Sequence, residues 1–176
     1  NIDSDTMYCF RTAQLELEPG AAESVKLLNS SGYLTIIVTN QPVVARGMCS
    51  MEDVAAIHNK LKTLLGEQGA YLDDILFCPH HPDKGYPEEN PDYKISCRCR
   101  KPDIGMLEEC ALKYNIDLKQ SWMVGDTTID IQTGINAGTH TALVLTGEMG
   151  RDGKYSVSPE RVGTNLLEIA KQILEG

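Results

Sequence analysis

The stretch from Cys78 to Pro102 reads CPHHPDKGYPEENPDYKISCRCRKP. Within it, Cys78-x-His80 and Cys97-x-Cys99 are two short ligand pairs separated by 16 residues. Three thiolates and an imidazole make a closed tetrahedral set of the kind that holds a structural zinc ion. The one-residue gaps differ from the usual finger spacing. The surrounding segment is rich in proline and charge, carries little apolar content of its own, and needs a staple to hold one conformation. His81 is the spare imidazole, expected at solvent or behind the ligands. Just past Cys99 come Arg100 and Lys101. Adjacent cations ahead of a helix can grip phosphate, arginine as a bidentate fork and lysine as a point charge. Taken by itself, such a dipeptide is more simply a solvated surface pair.

Two further groups could do chemistry. Thr39, Asn40 and Gln41 follow a short apolar run, and a hydroxyl and two amides there can donate hydrogen bonds to a phosphate; a helix cap or Asx turn is the competing reading. Gly125-Asp126 follows a second apolar run, with Asp130 four residues on. Carboxylates so placed suit a hard cation such as Mg²⁺, which prefers oxygen ligands and retains waters. The alternative is that Asp126 caps the next helix and Asp130 favours its N-terminal dipole. Gly125 tilts the reading of Asp126 towards a metal ligand. Cys9, Cys49 and Cys110 are unpaired in sequence, and Cys110 falls on the apolar side of its helix. His58 and His140 lack a motif and read as structural.

The elements that must position these residues alternate. Helices are predicted over 21–31, 51–69, 104–115, 127–138 and 164–176. Strands are predicted over 33–40 (core Leu34–Val38), 73–78, 121–126 and 140–147. Gly32 and Gly138 stand where helices must stop. Ser50 with Asp53 forms a loose capping box for the second helix. The core Leu34–Val38 is continuous and β-branched, as suits a strand buried on both faces. The polar stretch 148–163 reads as a surface loop. Alternating strands and helices imply an α/β fold around a mostly parallel sheet, as one domain spanning 1–176. Ligands then bind outside the carboxyl ends of the strands, which is where Thr39–Gln41 and Asp126 fall.

Composition bounds the partners. The chain has 176 residues and a formal net charge of -9, with 41% hydrophobic residues. An acidic balance argues against nucleic acid and anionic membranes, but a few local cations can still bind a small phosphorylated ligand. No apolar run approaches the roughly 18 residues of a membrane span. The opening NIDSDTMYCF lacks the basic and apolar regions of a signal peptide, so the expected compartment is the cytoplasm, where cysteines serve as thiols or metal ligands.

TNQ after a strand, ARG at 45–47, CPHHP…CRCRKP and MVGDTTID occur in that order. Together they resemble the haloacid dehalogenase superfamily of phosphatases, specifically its zinc-loop subgroup. The likeness runs from about Pro19 to Gly147 and implies a Rossmann-like, mostly parallel sheet flanked by helices. Within the subgroup the pattern is most similar to the D-glycero-D-manno-heptose 1,7-bisphosphate 7-phosphatases of lipopolysaccharide or nucleotide-heptose biosynthesis. Histidinol-phosphate phosphatases share the zinc loop, but ARG after TNQ and the 16-residue spacer favour the heptose enzymes. By resemblance, Thr39 holds the transferring phosphoryl group, and Asn40 and Gln41 line the same pocket. Lys101 neutralises phosphate and nucleophile, Arg100 contacts substrate phosphate, Arg46 contacts sugar or phosphate, and Asp126 binds Mg²⁺. The heptose enzymes are expected to carry lysine after the GD pair; this chain has Thr127.

The family mechanism also needs a D-x-D-G-T motif after an apolar strand, its first aspartate attacking phosphorus and its second protonating the leaving oxygen. No such segment occurs in the sequence. Asp3-Ser4-Asp5-Thr6 has the D-x-D spacing, but only two residues precede it and no glycine follows its second aspartate. The expectation is that Asn1 directly follows the missing motif, so that the nucleophile, the general acid and the first strand lie upstream. The missing aspartates are also the one argument for a non-catalytic, zinc-stapled pseudophosphatase. TNQPVVARG is in addition similar to chains in which such a phosphatase is fused to, or works with, a sugar nucleotidyltransferase.

Overall fold

The computed structural model describes residues 11–82 and 84–176; Asp3–Thr6 and Cys9 lie outside the described residues. The chain divides into two compact units, Asn1–Cys97 and Arg98–Gly176.

In the first unit, β1 (Ile36–Asn40) and β2 (Asp74–Cys78) pair in parallel, with Thr39 opposite Phe77 and Asn40 opposite Cys78. A polar network fixes the start of this pair. Thr35 N–H donates to Asp73 Oδ2 at 2.7 Å, Asp73 N–H returns to the Thr35 carbonyl at 2.9 Å, and Asn29 Nδ2 donates to Thr35 Oγ1 at 2.9 Å. Asn29 belongs to α1 (Ala21–Ser30), so the network ties that helix to the strand pair. Helix α1 ends as its sequence requires. Gly32 stands at φ +83°, its N–H bonds to the Asn29 carbonyl, and Tyr33 N–H reaches back to Leu28. Helix α2 (Met51–Gly66) begins at Ser50, whose hydroxyl accepts from Asp53 N–H while the Asp53 carboxylate accepts from Ser50 N–H at 2.9 Å. This is the reciprocal cap read from the sequence. Ala22, Val25, Leu65 and Ala70 form one buried cluster, and Val43, Val44 and Val54 another.

One expectation shifts. The strand starts at Ile36, Leu34 is 49% exposed, and every β1 residue is only partly buried. The reason is pairing: among the described residues β1 has a neighbour on one side alone, and burial of both faces and both edges needs covering layers on each.

In the second unit, β3 (Trp122–Gly125), β4 (His140–Val144) and β5 (Arg161–Gly163) form a parallel sheet in the order β3-β4-β5. Three helices accompany it: α3 (Gly105–Tyr114), α4 (Thr128–Ala137) and α5 (Leu166–Glu175). Met106, Leu107, Cys110, Met123, Ile131, Ala142, Ile169 and Ile173 are buried. The thiol of Cys110 is thus part of the core, as its helical position implies. Strand β5 sits inside the stretch read as a polar loop: three residues are too few for an apolar periodicity, and pairing with β4 defines them as a strand. All described strand pairs are parallel, in keeping with an α/β fold.

His58 of α2 packs edge-on against Phe77 of β2, with ring centroids 5.1 Å apart. Burial, aided by the Lys62 ammonium, holds its imidazole below the usual histidine range. A lowered folded value means that the neutral ring is the favoured form. The associated stability is therefore present above about pH 6.5 and is lost as pH falls through that value towards the folded one. The wild-type-minus-His58→Gln difference in urea midpoint should shrink as pH falls from 7.5 to 5.5, because only the wild type loses stability by protonation of this ring. An undiminished difference would contradict this assignment.

Candidate functional site

The ligand atoms of Cys78, His80, Cys97 and Cys99 lie within 4.8 Å of one another. Cys78 Sγ is 3.4 Å from Cys97 Sγ and 3.7 Å from His80 Nδ1. A disulfide requires about 2.05 Å between sulfurs, so Cys78 and Cys97 do not form one. A tetrahedral zinc ion with Zn–S near 2.3 Å places its ligand atoms about 3.8 Å apart, so this donor set and spacing are compatible with a structural zinc. Local structure delivers the ligands. Cys78 is the last residue of β2, and Gln41 N–H donates to its carbonyl at 2.8 Å, so the first ligand is bonded to the turn that follows β1. His81 does not face solvent. It is 8% exposed, drawn in by the bond from its N–H to the Tyr93 carbonyl at 3.0 Å.

In the first unit, Thr39 and Asn40 end β1, and Gln41 Nε2 lies 3.5 Å from Thr39 Oγ1. The next residues, Pro42 to Ala45, are buried, so an apolar plug anchors the turn that presents Arg46. The Arg46 guanidinium lies over the Tyr86 ring, 4.8 Å from its centroid.

In the second unit, Arg100 and Lys101 occupy a closed turn. Gly105 N–H bonds to the Arg98 carbonyl at 2.9 Å, Asp103 N–H to the Arg100 carbonyl at 2.9 Å, and Asn136 Nδ2 to the Pro102 carbonyl at 3.0 Å. A Cβ on Gly105 would fall 2.4 Å from the Arg98 oxygen, so only glycine closes this turn. Lys101 Nζ forms an ion pair with Asp130 Oδ1 at 2.5 Å, both side chains being largely buried. The other Asp130 oxygen accepts from Thr127 Oγ1 at 2.7 Å and from Thr127 N–H at 3.2 Å. Asp130 is thus the N-terminal cap partner of α4 and the counter-ion of Lys101. Gly125 makes room for it, since a Cβ there would meet the Asp130 side chain at 2.3 Å. Thr127, found where lysine was expected, is the N-cap of α4.

Asp126 lies at the carboxyl end of β3. Its Oδ2 accepts from Glu148 N–H at 2.9 Å, and its backbone carbonyl accepts from Gly150 N–H at 2.7 Å. A Cβ on Gly147 would lie 2.1 Å from that same Oδ2, so the carboxylate occupies the space a side chain would take. One accepted N–H orients the carboxylate, and a carboxylate has lone pairs beyond that one bond to offer a hard cation. Asp152 clamps the same region. Its oxygens accept from Thr128 N–H at 2.7 Å and Thr128 Oγ1 at 2.8 Å. Sequence reasoning passed over Asp152 and Glu148. The glycines at 147, 150 and 153, all at positive φ, were the available signal that this stretch folds tightly against something.

Residues 98–169 match a family model described as "HAD-hyrolase-like". The chain is 38% identical, over 98% of its length and 90% of the relative's, to the D-glycero-D-manno-heptose-1,7-bisphosphate 7-phosphatase of Thermosynechococcus vestitus. It is 33% identical, over 99% of its length and 93% of the relative's, to the D-glycero-beta-D-manno-heptose-1,7-bisphosphate 7-phosphatase of Pseudomonas putida. Among solved structures, the D,D-heptose 1,7-bisphosphate phosphatase of B. bronchiseptica, complexed with magnesium and phosphate, superposes with a TM-score of 0.83 at 32% identity, covering 98% of this chain and 91% of that one. The corresponding enzyme of Burkholderia thailandensis gives a TM-score of 0.69 at 26% identity, covering 94% of this chain and 90% of that one. The order of motifs, the α/β architecture and likeness over nearly the full length agree: the chain belongs to the D-glycero-D-manno-heptose-1,7-bisphosphate 7-phosphatase family of haloacid-dehalogenase-like hydrolases.

Proposed function

We propose that this protein removes the 7-phosphate of D-glycero-D-manno-heptose 1,7-bisphosphate by magnesium-dependent hydrolysis, on the path to nucleotide-activated heptose in the cytoplasm. The observation that carries this reading is the 33–38% identity, over 98–99% of the chain, to relatives named for that reaction. The reading takes residues 1–176 as one phosphatase domain.

Each residue then has a physical task. Thr39 donates its hydroxyl to an oxygen of the transferring phosphoryl group, and Asn40 and Gln41 offer amide donors beside it. Lys101 lowers the repulsion between an attacking carboxylate and a phosphate dianion. Its ion pair with Asp130 fixes the ammonium in one place, which a free lysine would lose to rotamer entropy. Arg100 supplies a fork to the substrate phosphate. Asp126 would hold Mg²⁺, oriented by the N–H of Glu148. When bound, that ion is a hard Lewis acid that stabilises charge building on phosphoryl oxygens. The attacking aspartate of this mechanism belongs to a D-x-D-G-T motif, which residues 1–176 do not contain. Cys78, His80, Cys97 and Cys99 would hold zinc with no open position, so zinc takes no part in the bond-breaking step. A sugar nucleotidyltransferase, fused or separate, is the partner this pathway implies.

Steady-state kinetics on the complete protein test the reading. The heptose bisphosphate should exceed histidinol phosphate in kcat/KM by at least about 10-fold, that is, by about 1.4 kcal/mol of transition-state discrimination. A preference for histidinol phosphate overturns the heptose assignment, and silence on all sugar phosphates with Mg²⁺ supports a non-catalytic module. Asp126→Asn should lower kcat by roughly two to four orders of magnitude while leaving the thermal midpoint within a few degrees, because it removes a metal ligand and no core volume. Survival of activity would refute the magnesium role. Cys97→Ser should instead abolish bound zinc and lower the thermal midpoint by several degrees, each kcal/mol being worth about 2–4 °C in a chain of this size. An unchanged zinc content would refute that ligand.

A further inference from the structure

We propose that Tyr86 is a positioning residue for substrate recognition: it fixes the guanidinium of Arg46 as a rigid fork for the phosphate that the reaction leaves on the sugar. The inference rests on the functional reading above, together with the contact to sugar or phosphate that the family resemblance implies for Arg46.

The placement of Tyr86 is over-determined. Glu89 Oε2 accepts from Gly85 N–H at 3.0 Å and from Tyr86 N–H at 3.4 Å, closing the backbone around the tyrosine. The same oxygen pairs with Lys94 Nζ at 2.7 Å, and that ammonium stands 5.7 Å from the Tyr86 ring centroid. The Lys94 ammonium, foremost, holds the Glu89 carboxyl below its ordinary range, and so the lysine charge on this ring is balanced locally. A second cation can then share the ring without net repulsion. That cation is Arg46, 4.8 Å from the centroid.

The turn bearing Arg46 is built to meet this loop. Asn90 N–H donates to the Ala45 carbonyl at 3.0 Å. Gly47, at φ +71°, lies so close to the Glu88 carbonyl that a Cβ would stand 1.7 Å from its oxygen. Backbone contacts on both sides of Arg46 therefore dock it against the loop, and the ring restrains the side chain itself. A cation–π contact holds a guanidinium without consuming an N–H donor, which is what a phosphate-binding arginine needs. The attraction also selects one rotamer of a long side chain that otherwise has many.

Kinetics with two substrates separate this role from loop stability. In the complete protein, Tyr86→Leu should raise KM for the heptose bisphosphate about 5- to 30-fold, the range expected for losing a cation–π contact, with kcat and zinc content unchanged. KM for p-nitrophenyl phosphate, which has no second phosphate, should not move. Tyr86→Phe keeps the ring and should retain the wild-type KM. In an Arg46→Met background, Tyr86→Leu should have no further effect, because its action runs through Arg46. An unchanged KM for the bisphosphate, an equal rise for both substrates, or an undiminished effect in the Arg46→Met background would overturn the proposal. Should Tyr86→Leu lose zinc, Tyr86→Met replaces it under the same criteria. If the wild-type protein does not hydrolyse the heptose bisphosphate, the functional reading fails and this inference fails with it; if it does, the variant results judge Tyr86 alone.

Discussion

The convergence of Cys78, His80, Cys97 and Cys99 is the constraint on which the local order of the candidate site depends. Among the described residues between Pro79 and Ser96 there is one short 3-10 turn, Pro91–Tyr93, and none of the longer elements that usually hold backbone in place. Such a segment cannot meet its entropy cost from apolar burial alone. Ligand geometry substitutes for a core. Two candidate stretches adjoin these residues, each by a single covalent or hydrogen-bonded step. Cys78 accepts the N–H of Gln41, next to Thr39 and Asn40, and Cys99 is followed directly by Arg100 and Lys101.

The second unit uses a different device. Lys101 and Asp130 form a largely buried ion pair in which the remaining carboxylate oxygen is satisfied by the cap of α4. A buried pair of this kind is weak evidence for stability, because desolvation offsets the attraction. Its worth is directional: the helix terminus fixes Asp130, and Asp130 fixes Lys101. Asp126 is held by the same logic, with backbone N–H groups of Glu148 and Gly150 standing around it and Gly147 keeping the space clear.

Much of this was legible in the sequence, for reasons that differ by residue. Helix stops at Gly32 and Gly138 and the start at Ser50 follow from local stereochemistry, so a few neighbouring residues suffice to read them. Cys78, His80, Cys97 and Cys99, whose donor atoms converge, come in two local pairs, so their grouping was legible for the same reason. The partner of Lys101 was not: Asp130 lies 29 positions away, and its sequence context served a cap or a cation ligand equally well. Tyr86 was passed over because nothing within a few residues of it names Arg46. The three residues of β5 carry no periodic pattern, and only register against β4 makes them a strand. The exposure of Leu34 and partial burial of β1 likewise depend on which strands lie alongside, a property no run of β-branched residues encodes.

Zinc held by Cys78, His80, Cys97 and Cys99 would have no open coordination position and would act by position alone. X-ray absorption at the zinc edge of the purified protein tests it most directly. The expected result is one zinc per chain with about three sulfur ligands near 2.3 Å, one nitrogen near 2.0–2.1 Å, and a spectrum unmoved by inorganic phosphate. A shell containing water or a carboxylate oxygen, or one that changes when phosphate is added, would contradict it.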